Sequence, residues 1–186
     1  WDRIEDIPDN EGPFVLKGAT NSRKNHWKTH MFAKDKKEAI EVQGRLLADG
    51  LISYQDIYVR KYIPLRKYLD GFGGIPITKE FRFFICNQEI LSGGYYWSNY
   101  VEDLPEIPLV KDVPIDFLNN VIKRIGNNAT FYVVDVAETE AGDWIVIELN
   151  EGQQSGTSMN DLDELYGNLK RVLEQNSKRH LGSSFC

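Results

Sequence analysis

The stretch that decides the fold reads Phe131-Tyr132-Val133-Val134-Asp135-Val136-Ala137, followed by Trp144-Ile145-Val146-Ile147-Glu148-Leu149-Asn150. Both runs are rich in β-branched and aromatic residues, and the short polar link between them contains Gly142, so the pair reads as a β-hairpin. A turn centred between Ala141 and Gly142 sets Asp135 opposite Glu148, Val134 opposite Leu149 and Val136 opposite Ile147. Alternate strand residues share a face. One face therefore becomes a continuous aliphatic surface, and the other gathers Asp135, Glu148 and Asn150. Directly opposed residues have Cβ atoms about 5 Å apart, where like charges destabilise. A cation between the carboxylates reverses that sign, and two carboxylates with an amide are hard donors suited to Mg²⁺. The plain alternative is a solvated hairpin with scattered acids. A one-residue slip in register would separate the trio.

Outward from the hairpin, helices and antiparallel strands mix without regular βαβ alternation, which is an α+β pattern. Upstream, Phe81–Cys86 and Glu89–Leu91 flank an Asn87-Gln88 turn and form a second hairpin. Between the hairpins, Pro114 opens a helix with Phe117, Leu118, Val121, Ile122 and Ile125 inward, and Gly126 stops it. Downstream, a helix over 161–178 carries Leu162, Leu165, Leu169, Val172 and Leu173 on one stripe, before a disordered tail from Gly182 to Cys186. Near the start, residues 1–12 read as an exposed acidic lead-in and Phe14–Lys17 as a buried strand ending on a lysine. A polar loop follows to Asn25, then a strand from Trp27 to Phe32. Asp35 with Glu38 caps a helix carrying Ala39, Ile40, Leu46 and Leu47 inward, ended by Gly50. Ile57–Ile63 is a β-rich run closed by Pro64, and Gly71–Gly74 reads as a flexible connector.

The chain has 186 residues and a net charge of −6. That length allows one core or two small lobes, and the charge argues against a protein that coats nucleic acid. No apolar run approaches the roughly 20 residues that span a bilayer. Cys86 and Cys186 make no disulfide framework and suit a reducing, cytoplasmic compartment. His26, His30 and His180 lack zinc-like spacing and read as surface or pocket residues. The chain begins at Trp1 rather than Met, so a missing N-terminal segment limits any targeting reading.

The hairpin also resembles the magnesium-binding end of the ATP-grasp superfamily, in which an Asp on one strand and a Glu-x-Asn on the next hold ions that bridge ATP phosphates. Asp135, Glu148 and Asn150 match that order, and Glu151-Gly-Gln-Gln-Ser-Gly156 resembles the turn leading to the substrate. Phe14-Val-Leu-Lys17 resembles the strand whose lysine contacts phosphates. The loop containing Asn21, Ser22, Arg23 and Lys24 resembles the flap that closes over them. The run Val59-Arg60-Lys61-Tyr62 resembles the adenine hinge, and Glu80-Phe-Arg82 the strand whose arginine reaches phosphate. The likeness is closest to a small clade of bacteria and phages characterised by two arginines and a lysine. Lys17 and Arg82 fit that set, with Arg60 or Arg66 as the third member. Pairing of Arg82 with Glu80 on an exposed sheet is the plain alternative. Two features depart from the family: Arg60 and Lys61 stand where many relatives place an acidic ribose contact, and the flap has few glycines.

The resemblance implies an ATP-grasp fold of two α+β lobes clasping ATP: a first lobe over 13–58 with the flap, a hinge and second lobe over 59–157, and a C-terminal helix and tail over 158–186. It implies an ATP- and Mg²⁺-dependent ligase that phosphorylates a carboxylate through Lys17 and Arg82 as catalytic groups, giving an acylphosphate that an amine attacks. The expected partners are ATP, an amino-acid or peptide carboxylate and an amine. Its relatives usually carry an additional N-terminal domain; little precedes Lys17 here, so that domain is absent, very small or removed. Three alternatives stay open: a phosphotransferase on the same fold, a non-catalytic nucleotide-binding module, and a nucleotidyl-transferring nucleic-acid ligase suggested by Lys67-Tyr-Leu-Asp70-Gly71. Tyr95-Tyr96-Trp97 could stack a base, line a substrate pocket or simply pack.

Overall fold

The computed structural model describes residues 4–182, with side chains as far as residue 175. They form two compact units, one running to Pro64 and including Leu69–Ile77, the other containing Leu65–Tyr68 and the chain from Thr78 onward. Helices and antiparallel sheets mix in the α+β manner expected.

In the first unit, β1 (Phe14–Gly18) is central between β2 (Phe32–Ala33) and β3 (Ile57–Lys61), and both pairings are antiparallel. The strand β1 alternates: Phe14, Leu16 and Gly18 are buried, while Val15 and Lys17 point to the other face. The helix α2 (Lys36–Leu47) packs Ala39, Val42 and Leu46 into the same core as Phe14, Leu16 and Val59. Asp35 caps it by accepting the Glu38 N–H at 2.9 Å, as the sequence predicts.

Three expectations are corrected in this unit. Ile40 and Leu47 are 52% and 55% exposed rather than inward. At 100° per residue they lie roughly a quarter turn from the Ala39–Val42–Leu46 stripe. Residues 27–32 are not one strand: Trp27–His30 forms a helical turn, α1, closed by the Met31 N–H to Trp27 C=O bond. The lead-in is not fully exposed either, since Ile4 and Ile7, three apart on a 3₁₀ turn, insert into the core. The strands β4 (Lys67–Asp70) and β5 (Pro76–Thr78) pair as a hairpin. Its tip is packed rather than a loose connector: a Cβ on Gly73 would collide with the Asn25 carbonyl oxygen.

The second unit is a four-stranded antiparallel sheet in the order β7-β6-β8-β9: β6 (Glu80–Cys86), β7 (Glu89–Tyr95), β8 (Phe131–Glu138) and β9 (Trp144–Glu151). Asn87 and Gln88 join β6 to β7 with φ of 50° and 67°, the two-residue left-handed turn that matches strand twist. The helix α3 (Ile115–Ile125) covers one face, where Leu118 and Ile122 meet Phe81, Phe83, Val134 and Val136. The helix α4 (Leu162–Gly182) covers part of the other, with Leu165 and Val172 against Phe84, Cys86, Leu91 and Val133. Full burial of each such aliphatic side chain contributes about 1.5–3 kcal/mol. The stripe on α4 is narrower than predicted. Leu162 and Leu173 are 49% and 50% exposed, because they lie roughly 60–80° round the helix from Leu165. The expected tail beyond Gly182 and the side chain of His180 fall outside the described residues.

Candidate functional site

The sheet face that α4 covers at Phe84, Cys86 and Val133 turns polar two residues further along β6 and β8. There, β6 contributes Glu80 and Arg82 and β8 contributes Asp135. Register sets Arg82 opposite Asp135 on one side and Glu148 opposite Asp135 on the other, while Asn150 faces Val133. Asp135, Glu148 and Asn150 thus share the face that strand alternation predicts. A bulge after Asp135 pairs Val136 with Val146, not with Ile147. The turn therefore sits about half a residue from its expected centre, and the bulge restores the register at Asp135. The aliphatic surface of the other face is also incomplete, because Leu149 on the edge strand β9 is 51% exposed.

The carboxylate that meets the Arg82 fork is Asp135 rather than Glu80. Arg82 donates from Nε to Oδ1 at 2.8 Å and from Nη2 to Oδ2 at 2.7 Å. A planar guanidinium matches a carboxylate in this two-point manner. Side-chain exposure is 9% for Arg82 and 1% for Asp135. Burial by itself pulls the Arg82 pKa down, but the hydrogen bonds and charge of Asp135 outweigh it, and the net shift is upward. Nη1 donates to the Gly156 carbonyl at 2.8 Å, and the Tyr96 ring lies 4.8 Å from the guanidinium carbon, a cation–π distance. Glu80 instead accepts from Thr78 Oγ1 at 3.3 Å. Thr78 Oγ1 itself accepts from Trp97 Nε1 at 3.3 Å.

The segment after β9 closes on Arg82. Asn160 Nδ2 donates to the Arg82 carbonyl at 3.2 Å and to the Thr157 carbonyl at 2.9 Å. The Met159 N–H donates to the Tyr95 carbonyl at 3.1 Å. Gly94 makes this approach possible, since a Cβ there would collide with backbone atoms of Met159 and Asn160. Neither Asn160 nor Gly94 is legible in the sequence as part of the site. Their roles come from a backbone crossing between segments more than sixty positions apart, and no local motif encodes it.

Among the described residues no group of three or more His, Cys, Asp or Glu side chains could hold a metal ion. A cation here would rest on two carboxylates and the Asn150 amide. The donor chemistry fits Mg²⁺, which takes few protein ligands and keeps water or phosphate. Asp135 already accepts two Arg82 hydrogen bonds, and each of its oxygens retains further lone-pair capacity.

Arg66 lies elsewhere in this unit and donates to Glu138 at 3.1 Å. Lys79 Nζ stands 2.9 Å from the same Glu138 carboxylate and 3.1 Å from Asp112. Burial raises the Glu138 pKa, but Lys79 and Arg66 outweigh it and the net shift is downward. The first unit carries the other sequence-predicted residues. Lys17 pairs in register with Tyr58 on β3, and Arg60 with Val15. Asn21 donates its N–H to Gln55 Oε1 at 3.2 Å, and Ser22 and Lys24 flank Arg23. Arg23 forks onto Asp49 at 2.7 and 2.5 Å, which holds the Asp49 pKa at about 2. Val59 is buried and Lys61 exposed at the end of β3. Tyr62 packs on Phe32 and Trp27 with ring centroids 5.4 and 6.4 Å apart.

A family model for ATP-grasp domains, family 3 of the clade named for two arginines and a lysine, matches residues 5–169. No curated protein matches the sequence. Three solved structures illustrate the fold relationship. Cdc123 from Schizosaccharomyces pombe is 13% identical, with a TM-score of 0.52, over 82% of this chain and 66% of that one. The RimK domain protein ATP-grasp from Sphaerobacter thermophilus DSM 20745 is 19% identical, with a TM-score of 0.44, over 78% and 46%. The L-amino acid ligase from Bacillus licheniformis is 16% identical, with a TM-score of 0.45, over 80% and 34%. The chain spans less than two thirds of the length of each. Among the described residues no helix is long and apolar enough to cross a membrane.

Proposed function

We propose, for a chain that belongs to family 3 of the two-arginine, one-lysine clade of ATP-grasp domains, that it binds Mg-ATP and phosphorylates a carboxylate, which an amine then converts to an amide with release of ADP and phosphate. The supporting observation is the three-strand register that places Arg82, Asp135 and Glu148 side by side on the uncovered part of the sheet face. Asp135, Glu148 and Asn150 are the residues that would hold Mg²⁺. Bound there, the ion would supply charge neutralisation at the β- and γ-phosphates.

The protein groups have separable roles. Three of the five Arg82 N–H groups are engaged by Asp135 and Gly156. Arg82 thereby fixes Asp135 and keeps its remaining donors for phosphate oxygen. Lys17 adds a second cation for the transferring phosphoryl group. The flap residues Asn21, Ser22, Arg23 and Lys24 would close over the triphosphate and exclude water from the acylphosphate. Residues 59–62 would receive adenine through backbone donors and acceptors. Arg60 is the better candidate for the clade's second arginine, because Arg66 is committed to Glu138. An amino acid or peptide is the proposed acceptor class.

The test screens acid–amine pairs for substrate-dependent ADP release, with mass spectrometry of the products. An amide product establishes the ligase. ADP with a phosphorylated acceptor and no amide assigns a phosphotransferase, and lysyl-AMP with AMP release assigns a nucleotidyl transferase. No Mg-ATP binding by the folded chain leaves a non-catalytic module. Glu148→Gln is expected to abolish turnover with an unchanged circular-dichroism spectrum; undiminished activity removes the metal site.

A further inference from the structure

The strand β7 is an edge of the second unit's sheet, and part of that edge is open. The Tyr96 N–H donates to the Glu80 carbonyl at 2.9 Å, so residue 96 faces β6. Backbone groups alternate in direction along a strand; residues 95 and 93 therefore face away from the sheet. Two neighbouring carbonyls on the outer side are already capped. The Leu91 C=O accepts from Asn168 Nδ2 at 2.7 Å, and the Tyr95 C=O accepts from the Met159 N–H at 3.1 Å. Between them, Gly93 turns its N–H and C=O outward and meets no hydrogen-bond partner among the described residues.

Gly93 opens into a groove of about 750 Å³, a size typical of small-ligand sites. Its walls include Phe83, Ile90, Val110, Val113 and Leu118, with Lys111 and Glu164 also lining it. Ser92 is part of the same wall, 2% exposed, and its hydroxyl has no partner. All of these residues belong to the second unit.

We propose that this groove binds an apolar dipeptide with free termini. An unpaired edge N–H and C=O are best matched by another amide, as in strand addition. The capped carbonyls at Leu91 and Tyr95 limit the length, because four residues of strand rise only about 14 Å. A long peptide strand is excluded, and roughly two residues fit. The apolar walls select aliphatic or aromatic side chains. The opposite charges of Lys111 and Glu164 match a carboxylate and an ammonium. The site is distinct from the Arg82–Asp135 constellation and requires no nucleotide.

The experiment titrates the full chain, without ATP, with Leu-Phe dipeptide, followed by calorimetry and amide NMR. Saturable binding with a shift of the Gly93 amide is expected. Capping both termini of Leu-Phe should weaken binding by roughly tenfold or more, about 1.4 kcal/mol. Val110→Trp, which fills the groove, should abolish binding, and Glu164→Lys on the rim should weaken it by a similar factor. Absence of saturable binding overturns the proposal, as does binding indifferent to capping and to both substitutions. A concentration-dependent dimer that Val110→Trp dissolves would assign the edge to a second copy of the chain and equally overturn it. Because no nucleotide is present, either result leaves the ligase test untouched.

Discussion

Asp135 is a carboxylate almost sealed from solvent, and Arg82 is its counter-charge. Removing one member of a buried pair leaves an uncompensated charge, which costs about 3–5 kcal/mol, whereas removing both costs less. Arg82→Ala should therefore destabilise the chain by that amount in urea unfolding, with the Arg82→Ala/Asp135→Ala double variant recovering part of the loss. Additive losses would refute the coupling. Arg82→Lys keeps the charge but not the two-point geometry, and is expected to fall between. The sequence displays Asp135 and Arg82 clearly as chemistry-bearing residues. Their partnership is not visible there, because it depends on β6 docking beside β8 in one register, with fifty-three positions between. Glu80 is the nearer carboxylate on the same strand face, and local spacing favours it.

At the scale of elements, caps and turns are the most legible features. Asp35, Gly126 and the Asn87-Gln88 turn all act locally, and each stands where its chemistry places it. Asp35→Ala should cost about 1 kcal/mol while Asp35→Asn loses little, a difference readable in denaturant midpoints; equal losses would rule out the cap. Helix faces are less legible. Ile40, Leu47, Leu162 and Leu173 are apolar but sit at the margin of their stripes, and composition alone does not say how wide a stripe the partner sheet covers. The bulge at Ile147 is hidden for a similar reason, since both registers place an aliphatic residue opposite Val136. Gly94→Ala is expected to push the Met159–Asn160 backbone away from β7 and cost about 1–3 kcal/mol, with altered amide shifts at Asn160. Unchanged shifts and stability would show that the close approach is not required.

For the molecule as a whole, the α+β mixture follows from its alternating helices and hairpins, while the partition into two units emerges only from long-range packing. Acid stability belongs to this scale. Asp49 titrates near 2 in the folded chain against about 3.9 when unfolded. Its contribution is complete above the unfolded value and lost as pH falls towards 2. The lowered Glu138 acts in the same direction. Melting temperature should therefore drop between pH 5 and pH 2, and Asp49→Asn should be less stable at pH 7 with a shallower acid limb. A limb of unchanged steepness would exclude Asp49 as a contributor. The path of the chain carries one more consequence. It enters the second unit at Leu65, returns for Leu69–Ile77 and leaves again at Thr78. A single break therefore cannot yield two complete halves for a split reporter: a fragment ending at Pro64 would lack the Gly73–Gly74 wedge seated on Asn25 and Lys28. A self-contained first half requires Pro64 to be spliced to Leu69 and the gene to stop at Ile77.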